Sequence, residues 1–359
     1  MLADFIRISL GDQNVIILKP DGSVWTAAIT AGLAFSGVPI CALNKQFEQV
    51  IPSDATAVAA GTAYNMVLKH DGSVWAIGQN SKGQLGDGTR ITKRVFSFVE
   101  MIPGAINVVA GGQHTMILTQ EGAVWAAGWN SYGQLGEGSR SDKKLFLRVI
   151  AGGGKAVTAG EVHSMILQHD GSVWTTGGNY NGQLGDGSRD DRSTFMKVMS
   201  GGATDVSAGG RHSMVLNQDG SVWATGLNKH GQLGDGSTIS KINYVRVILS
   251  RAKAIAAGSR HSMVLMQDGS VWATGYNFYG QLGDGSTTSS KVFVEVIFRG
   301  VETVAAGTSL SMVLKEDGSV WATGSNEEGQ FAEGSTTSCK NFVRLTSLYG
   351  KGAEHGTTT

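Results

Sequence analysis

Apolar and polar positions along this chain fall into one unit that returns seven times in 359 residues. A unit holds a β-branched run, a small-residue V-A-A-G stretch, an S-M-V-L run, an Asp-Gly or Glu-Gly turn and a V-W segment. In most copies N-x-x-G-Q-L-G-D-G follows. The marker tryptophans are Trp25, Trp75, Trp125, Trp174, Trp223, Trp272 and Trp321, spaced 50, 50, 49, 49, 49 and 49. A period of this length, sustained nearly end to end, is the signature of stacked copies of one supersecondary unit. Residues present in every copy should therefore hold the copy together, and function should be sought where the copies differ.

One unit shows which elements to expect. Residues 292–297 read as a short strand, 304–307 as a crowded small-residue segment, and 311–314 and 319–324 as apolar runs flanking Asp317-Gly318. Glycine supplies the positive φ of a tight hairpin turn, so the two runs predict a hairpin. The count is about four antiparallel strands per unit, the content of a propeller blade. No stretch keeps a 3.6-residue apolar period, which disfavours a helical solenoid. The predicted fold is all-β: a seven-bladed β-propeller of four-stranded antiparallel blades.

Residues 5–11 align with 301–307, and 342–345 with 293–296, the strand that in this reading begins a blade. The ring is accordingly expected to close with N- and C-terminal strands sharing one blade. Residues 1–350 form the single predicted domain, and 351–359 a polar tail.

Composition narrows the function classes. Twenty-nine basic and 29 acidic residues leave no net charge, so no field draws the chain to nucleic acid. Fifty-two glycines fit many tight turns. Two cysteines, Cys41 and Cys339, form neither a disulfide framework nor a metal-ligand spacing, and read as free thiols. The first residues show no basic start with an apolar signal core, which favours an intracellular protein over a secreted one.

The run G-x-x-H-[S/T]-x-x-L followed by D-G-x-V-W-x-x-G-x-N-x-x-G-Q-L-G-[D/E]-G is clearest at 111–138, 160–187, 209–236 and 258–285. It resembles the regulator of chromosome condensation repeat, over roughly residues 5 to 350. The resemblance implies a seven-bladed propeller and, among relatives, exchange factors for the small GTPase Ran, a plant ultraviolet-B photoreceptor, β-lactamase inhibitors and modules of ubiquitin ligases. The chain lacks the basic tail and the lengthened repeat that the exchange factor implies. The photoreceptor's tryptophan slots are here Gly112, Glu161, Gly210 and Ser259.

Candidate chemistry is sparse. His114, His163, His212 and His261 share one slot, which Asn14, Tyr64 and Leu310 take in the other copies. No complete ligand ring results, and a hydrogen bond fixing the inner hairpin is the expected role. The acids before the turn glycines (Asp71, Glu121, Asp170, Asp219, Asp268, Asp317) and those of G-[D/E]-G or its last-repeat equivalent (Asp87, Glu137, Asp186, Asp235, Asp284, Glu333) suit turns, where carboxylates bond nearby backbone. G-Q-L-G-D-G lacks the Gly-Lys-Ser/Thr ending of a phosphate loop. The expectation is no catalysis, no cofactor and no metal.

Variable positions carry the functional reading. Trp129, Tyr132, Tyr180, Tyr276, Phe278 and Tyr279 collect around the N-x-x-G-Q loops, where they would either form a protein-binding surface or cover neighbouring blades. The first copy departs most: residues 24–43 hold no charge and include Leu33, Phe35, Val38 and Ile40. A spanning helix there would break the ring, so the segment reads as an apolar surface docked on a partner, or as a degenerate blade buried at the seam. The functional expectation is a protein-interaction scaffold, an accessory subunit of a larger assembly, with a membrane-bound complex among the partners the apolar segment would fit. A guanine-nucleotide exchange factor for a small GTPase is the alternative, and a soluble inhibitor-type binder the second alternative.

Overall fold

The computed structural model describes residues 6–12, 14–27 and 46–349. They form seven four-stranded antiparallel sheets, each built from four strands consecutive in the chain. We number them blades 1 to 7 (7–51, 55–101, 105–150, 154–199, 203–248, 252–297 and 301–344). The seven innermost strands surround a central channel of about 610 Å³.

The repeated sequence explains the repeated blade. In blade 6 the inner strand Ala252–Ala257 pairs with His261–Met266, which pairs with Val271–Gly275 across the Asp268-Gly269 turn. Gly269 takes φ 80°, and the Asp268 Oδ1 accepts the Ser270 N–H at 2.9 Å. Ser270 Oγ in turn accepts the indole N–H of Trp272 at 3.3 Å. The same Trp-to-Ser bond recurs at Trp25, Trp75, Trp174, Trp223 and Trp321. Blade 3 has Ala123 at the serine position, and its Trp125 lacks that partner.

The blade boundary differs from the expectation. The strand Cys339–Arg344 ends blade 7 rather than beginning another, pairing through Arg344 with Trp321 of its own unit. Blade 1 is likewise complete from its own strands. Among the described residues no blade is shared between the termini. A ring of repeats has no intrinsic starting point, so periodicity alone could not tell the outer strand of one blade from the first strand of the next.

The ring closes instead through packing. Leu345 and Leu348, just beyond the last strand, are buried with Val15, Ile17 and Phe47 of blade 1 and with Leu310 and Met312 of blade 7. The short 3-10 turn Ser347–Tyr349 is clasped from both sides. Glu333 accepts the Ser347 N–H at 2.8 Å, and Lys19 Nζ donates to the Leu348 carbonyl at 2.8 Å. The tail 351–359 and Cys41 lie outside the described residues; Cys339 is a half-buried free thiol.

Candidate functional site

The recurrent polar residues are committed to structure, which leaves the variable loop positions as the candidate site. His163 Nε2 lies 2.9 Å from Ser213 Oγ on the next blade, and Ser213 Oγ donates to the Gln183 carbonyl at 2.7 Å. The serine has one proton, so the histidine must be the donor, neutral and protonated on Nε2. Its Nδ1 is then a bare lone pair, consistent with its having no hydrogen-bond partner. His114, His212 and His261 repeat the arrangement with Ser164, Ser262 and Ser311. Burial lowers the pKa of His114 and His261 to about 4 and that of His163 and His212 to about 3. These histidines therefore stitch blade to blade, a correction to the expected bond within one hairpin.

Six seams have a polar stitch. Tyr64 donates to the His114 carbonyl, and the Asn14 amide to Asn65 Oδ1. At this slot the seam between blades 7 and 1 has no such stitch among the described residues: Leu310 and Val15 occupy the paired positions and lie in one apolar cluster.

The acids behave as turn residues. Asp87 accepts from Asn80 Nδ2 and the Thr89 N–H, both at 2.9 Å, and pairs with Lys93 at 3.0 Å. Asp186 does the same with Asn179, Ser188 and Arg192. The G-[D/E]-G loop also reaches the neighbouring blade, where Gly187 N–H donates to the Ile242 carbonyl at 2.9 Å. Among the described residues no group of three His, Cys, Asp or Glu side chains is placed to hold a metal ion.

What remains is the loop face. Because strands alternate in direction, the loop after the inner strand and the loop after the third strand emerge on the same side of every blade. All six loop aromatics therefore share one face, five of them in two clusters. Trp129 and Tyr132 of blade 3 meet edge to face at 5.2 Å, with Lys82 of blade 2 lying 6.0 Å from the Trp129 ring. Tyr276, Phe278 and Tyr279 of blade 6 form the second, with ring separations of 6.3 and 5.1 Å. His230 of blade 5 lies 4.8 Å from Tyr276, and the Arg260 guanidinium 5.9 Å. Burial, then the charges of Arg260 and Lys229, hold His230 below its ordinary pKa.

Tyr180 stands between the clusters and is 78% exposed; Phe278 is 63% and Tyr132 39% exposed. Trp129, Tyr276 and Tyr279 are half-buried, so these three also cover their neighbours. Tyr132 and Tyr180 line a cavity of about 580 Å³ together with Arg140, Arg189 and Arg211. Arg140 pairs with Asp191 at 3.7 Å, and Arg211 with Glu161 at 3.5 Å at the channel mouth. Sequence reasoning missed these arginines. Arg211 and Arg260 follow the inner strands, and only hairpin parity brings them beside aromatics carried by the later loops.

Leu33, Phe35, Val38 and Ile40 lie outside the described residues. No helix among the described residues is long and apolar enough to cross a membrane.

Fold and loops together define a propeller built from the G-Q-L-G unit. The chain belongs to the RCC1-like domain family, whose model matches residues 37–355. No curated protein matches the sequence. Human WBSCR16 is similar in structure, at 21% identity and TM-score 0.79 over 90% of this chain and 93% of that one. Yeast RCC1 (Prp20), in a crystal structure with Kap60, is similar at 18% identity and TM-score 0.78 over 89% and 82%. The CRINKLY WD40 ectodomain of the Arabidopsis thaliana receptor kinase ACR4 follows at 15% identity and TM-score 0.51, over 89% and 94%. At these identities the likeness is one of fold.

Proposed function

We propose that this chain is a non-catalytic regulatory propeller that holds a protein partner against the face carrying its N-x-x-G-Q loops. The observation behind this reading is the contrast between the two residue sets. Repeated histidines, carboxylates and tryptophans are taken up in bonds within and between blades, whereas Tyr132, Tyr180 and Phe278 are left exposed on one rigid face beside Arg189 and Arg260. Exposed aromatics bordered by arginine are the composition of protein-binding hot spots, and loops on a stiff scaffold present them without an ordering cost.

The finer expectation, an accessory subunit docked through residues 24–43, belongs to the same proposal. Charges introduced at Leu33 and Phe35 test it, since loss of co-assembly supports docking and unchanged assembly rejects it. The exchange-factor alternative draws on the yeast protein, for which a solved structure is described together with binding to Gsp1p and histones. Purified chain at catalytic amount either accelerates nucleotide release from a small GTPase, which assigns exchange, or leaves the rate at its intrinsic value, which leaves the scaffold reading.

A further inference from the structure

The outer strand of blade 2, Lys93–Met101, is nine residues long, against eight in blades 3 to 6. It also inverts a polarity that the other blades keep. The outer-strand position facing the marker tryptophan is exposed and polar elsewhere: Gln49, Arg148, Lys197, Arg246, Glu295 and Arg344. In blade 2 it is Phe98, 52% exposed and edge-on to Trp75 at 6.2 Å. Two positions later blades 1 and 3 to 6 carry a half-buried or buried apolar residue (Ile51, Ile150, Met199, Ile248, Ile297), and blade 2 carries Glu100. The Glu100 Oε2 is buried without a hydrogen-bond partner, and burial raises its pKa with no nearby cation to counter it. Val95 (41%) and Met101 (47%) extend the exposed apolar rim to both sides of Phe98.

Edge strands are ordinarily guarded by charge against self-association, and this one has lost its guard at the centre. Lys93 is already paired with Asp87 at 3.0 Å, and the charges that remain are Arg94, exposed, near the start and Glu100 near the end. Turned antiparallel about an axis at Ser97, the strand is its own electrostatic complement. Residue 94 of one copy falls opposite residue 100 of the other, and each Phe98 falls opposite Phe96, which leaves the two Phe98 rings diagonal neighbours across the axis and within reach of one another. We infer that two copies of this chain associate rim to rim through blade 2, with Phe98 packed on Phe98 and Arg94 paired with Glu100 of the second copy. Such an isologous contact is closed and stops at the dimer. It uses the rim rather than the loop face, so it stands or falls separately from the partner-binding proposal.

Sedimentation equilibrium of the full chain over a concentration series tests it. The wild type should approach twice its 37.6 kDa mass. Phe98→Arg, which installs the residue already present at Arg148 and Arg246, should be monomeric with an unchanged melting temperature. Arg94→Glu and Glu100→Arg alone should each weaken association by at least about tenfold, since like charges then face each other twice. Mixing those two variants should restore the dimer, because both crossed pairs regain opposite charge. A wild type that stays monomeric throughout overturns the inference, as does a dimer that survives Phe98→Arg or a mixture that fails to re-form.

Discussion

His163 donates its Nε2 proton to Ser213 Oγ across 2.9 Å, joining two blades whose paired residues are 50 positions apart in sequence. Three further His–Ser pairs do the same work, so four of the blade seams rest on neutral imidazoles. This sets a pH dependence. An unfolded histidine takes up a proton near pH 6.5, whereas buried His212 resists protonation down to about 3. Stability is therefore fully present above about pH 6.5 and is lost as pH falls below it, by up to about 1.4 kcal/mol per pH unit for each such histidine. His212→Asn keeps an N–H donor and removes the titrating group. Denaturant melts between pH 7 and 4.5 should show a shallower loss of stability for this variant than for the wild type.

The last G-Q-L-G unit reads G-Q-F-A, placing Ala332 at φ 56° where five other blades have glycine at φ 72–79°. A side chain in the left-handed region costs about 1 kcal/mol. Ala332→Gly should relieve it, offset in part by the greater freedom of an unfolded glycine. The expected outcome in urea titration is a gain of up to about 1 kcal/mol, provided the Phe331–Phe47 packing is kept.

The clasp at the 7–1 seam predicts a position-dependent cost. Leu348 is 2% exposed and Leu249, on the rim of blade 5, is 74% exposed. Leu348→Ala should destabilise by about 2–4 kcal/mol as a cavity opens between the first and last blades. Leu249→Ala should stay within about 0.5 kcal/mol. Hydrogen exchange should show the extra opening of Leu348→Ala in blades 1 and 7 before it reaches blade 4.

Much of this structure was legible in the sequence because its causes are local. Trp272 to Ser270 and Asp268 to Ser270 are contacts at a separation of two residues, and each recurrence advertises a blade. Contacts between units were not legible in the same way. The sequence marks His163 and Ser213 as repeated but does not say that one blade's histidine reaches the next blade's serine. The closure was misread for a related reason. Leu345 and Leu348 follow the last unit, so no repeat reports what they do, whereas the alignment of 342–345 with 293–296 suggested a shared sheet that the strand order does not contain. At the site, hairpin parity placed the aromatic loops on one face, but the pairing of Tyr276 with His230 and Arg260 needed the ring, because those residues come from different blades.

Tyr180 and Phe278 make no cross-blade stitch and are the most exposed of the six loop aromatics, so removing them separates binding from folding. The Tyr180→Ala/Phe278→Ala double variant should melt within about 0.5 kcal/mol of the wild type. If this face is the partner surface, it should also weaken partner binding by at least about tenfold, the cost of losing one aromatic hot spot.

The most direct test of partner binding is the native size of the chain in a mild-detergent extract of its source cells, with and without that double substitution. The wild type should migrate above the mass of the purified protein, with companion proteins identified by mass spectrometry, and the variant should fall back to the purified mass. Migration of the wild type at the purified mass, or of both proteins in the same large particle, would contradict a partner held on the loop face.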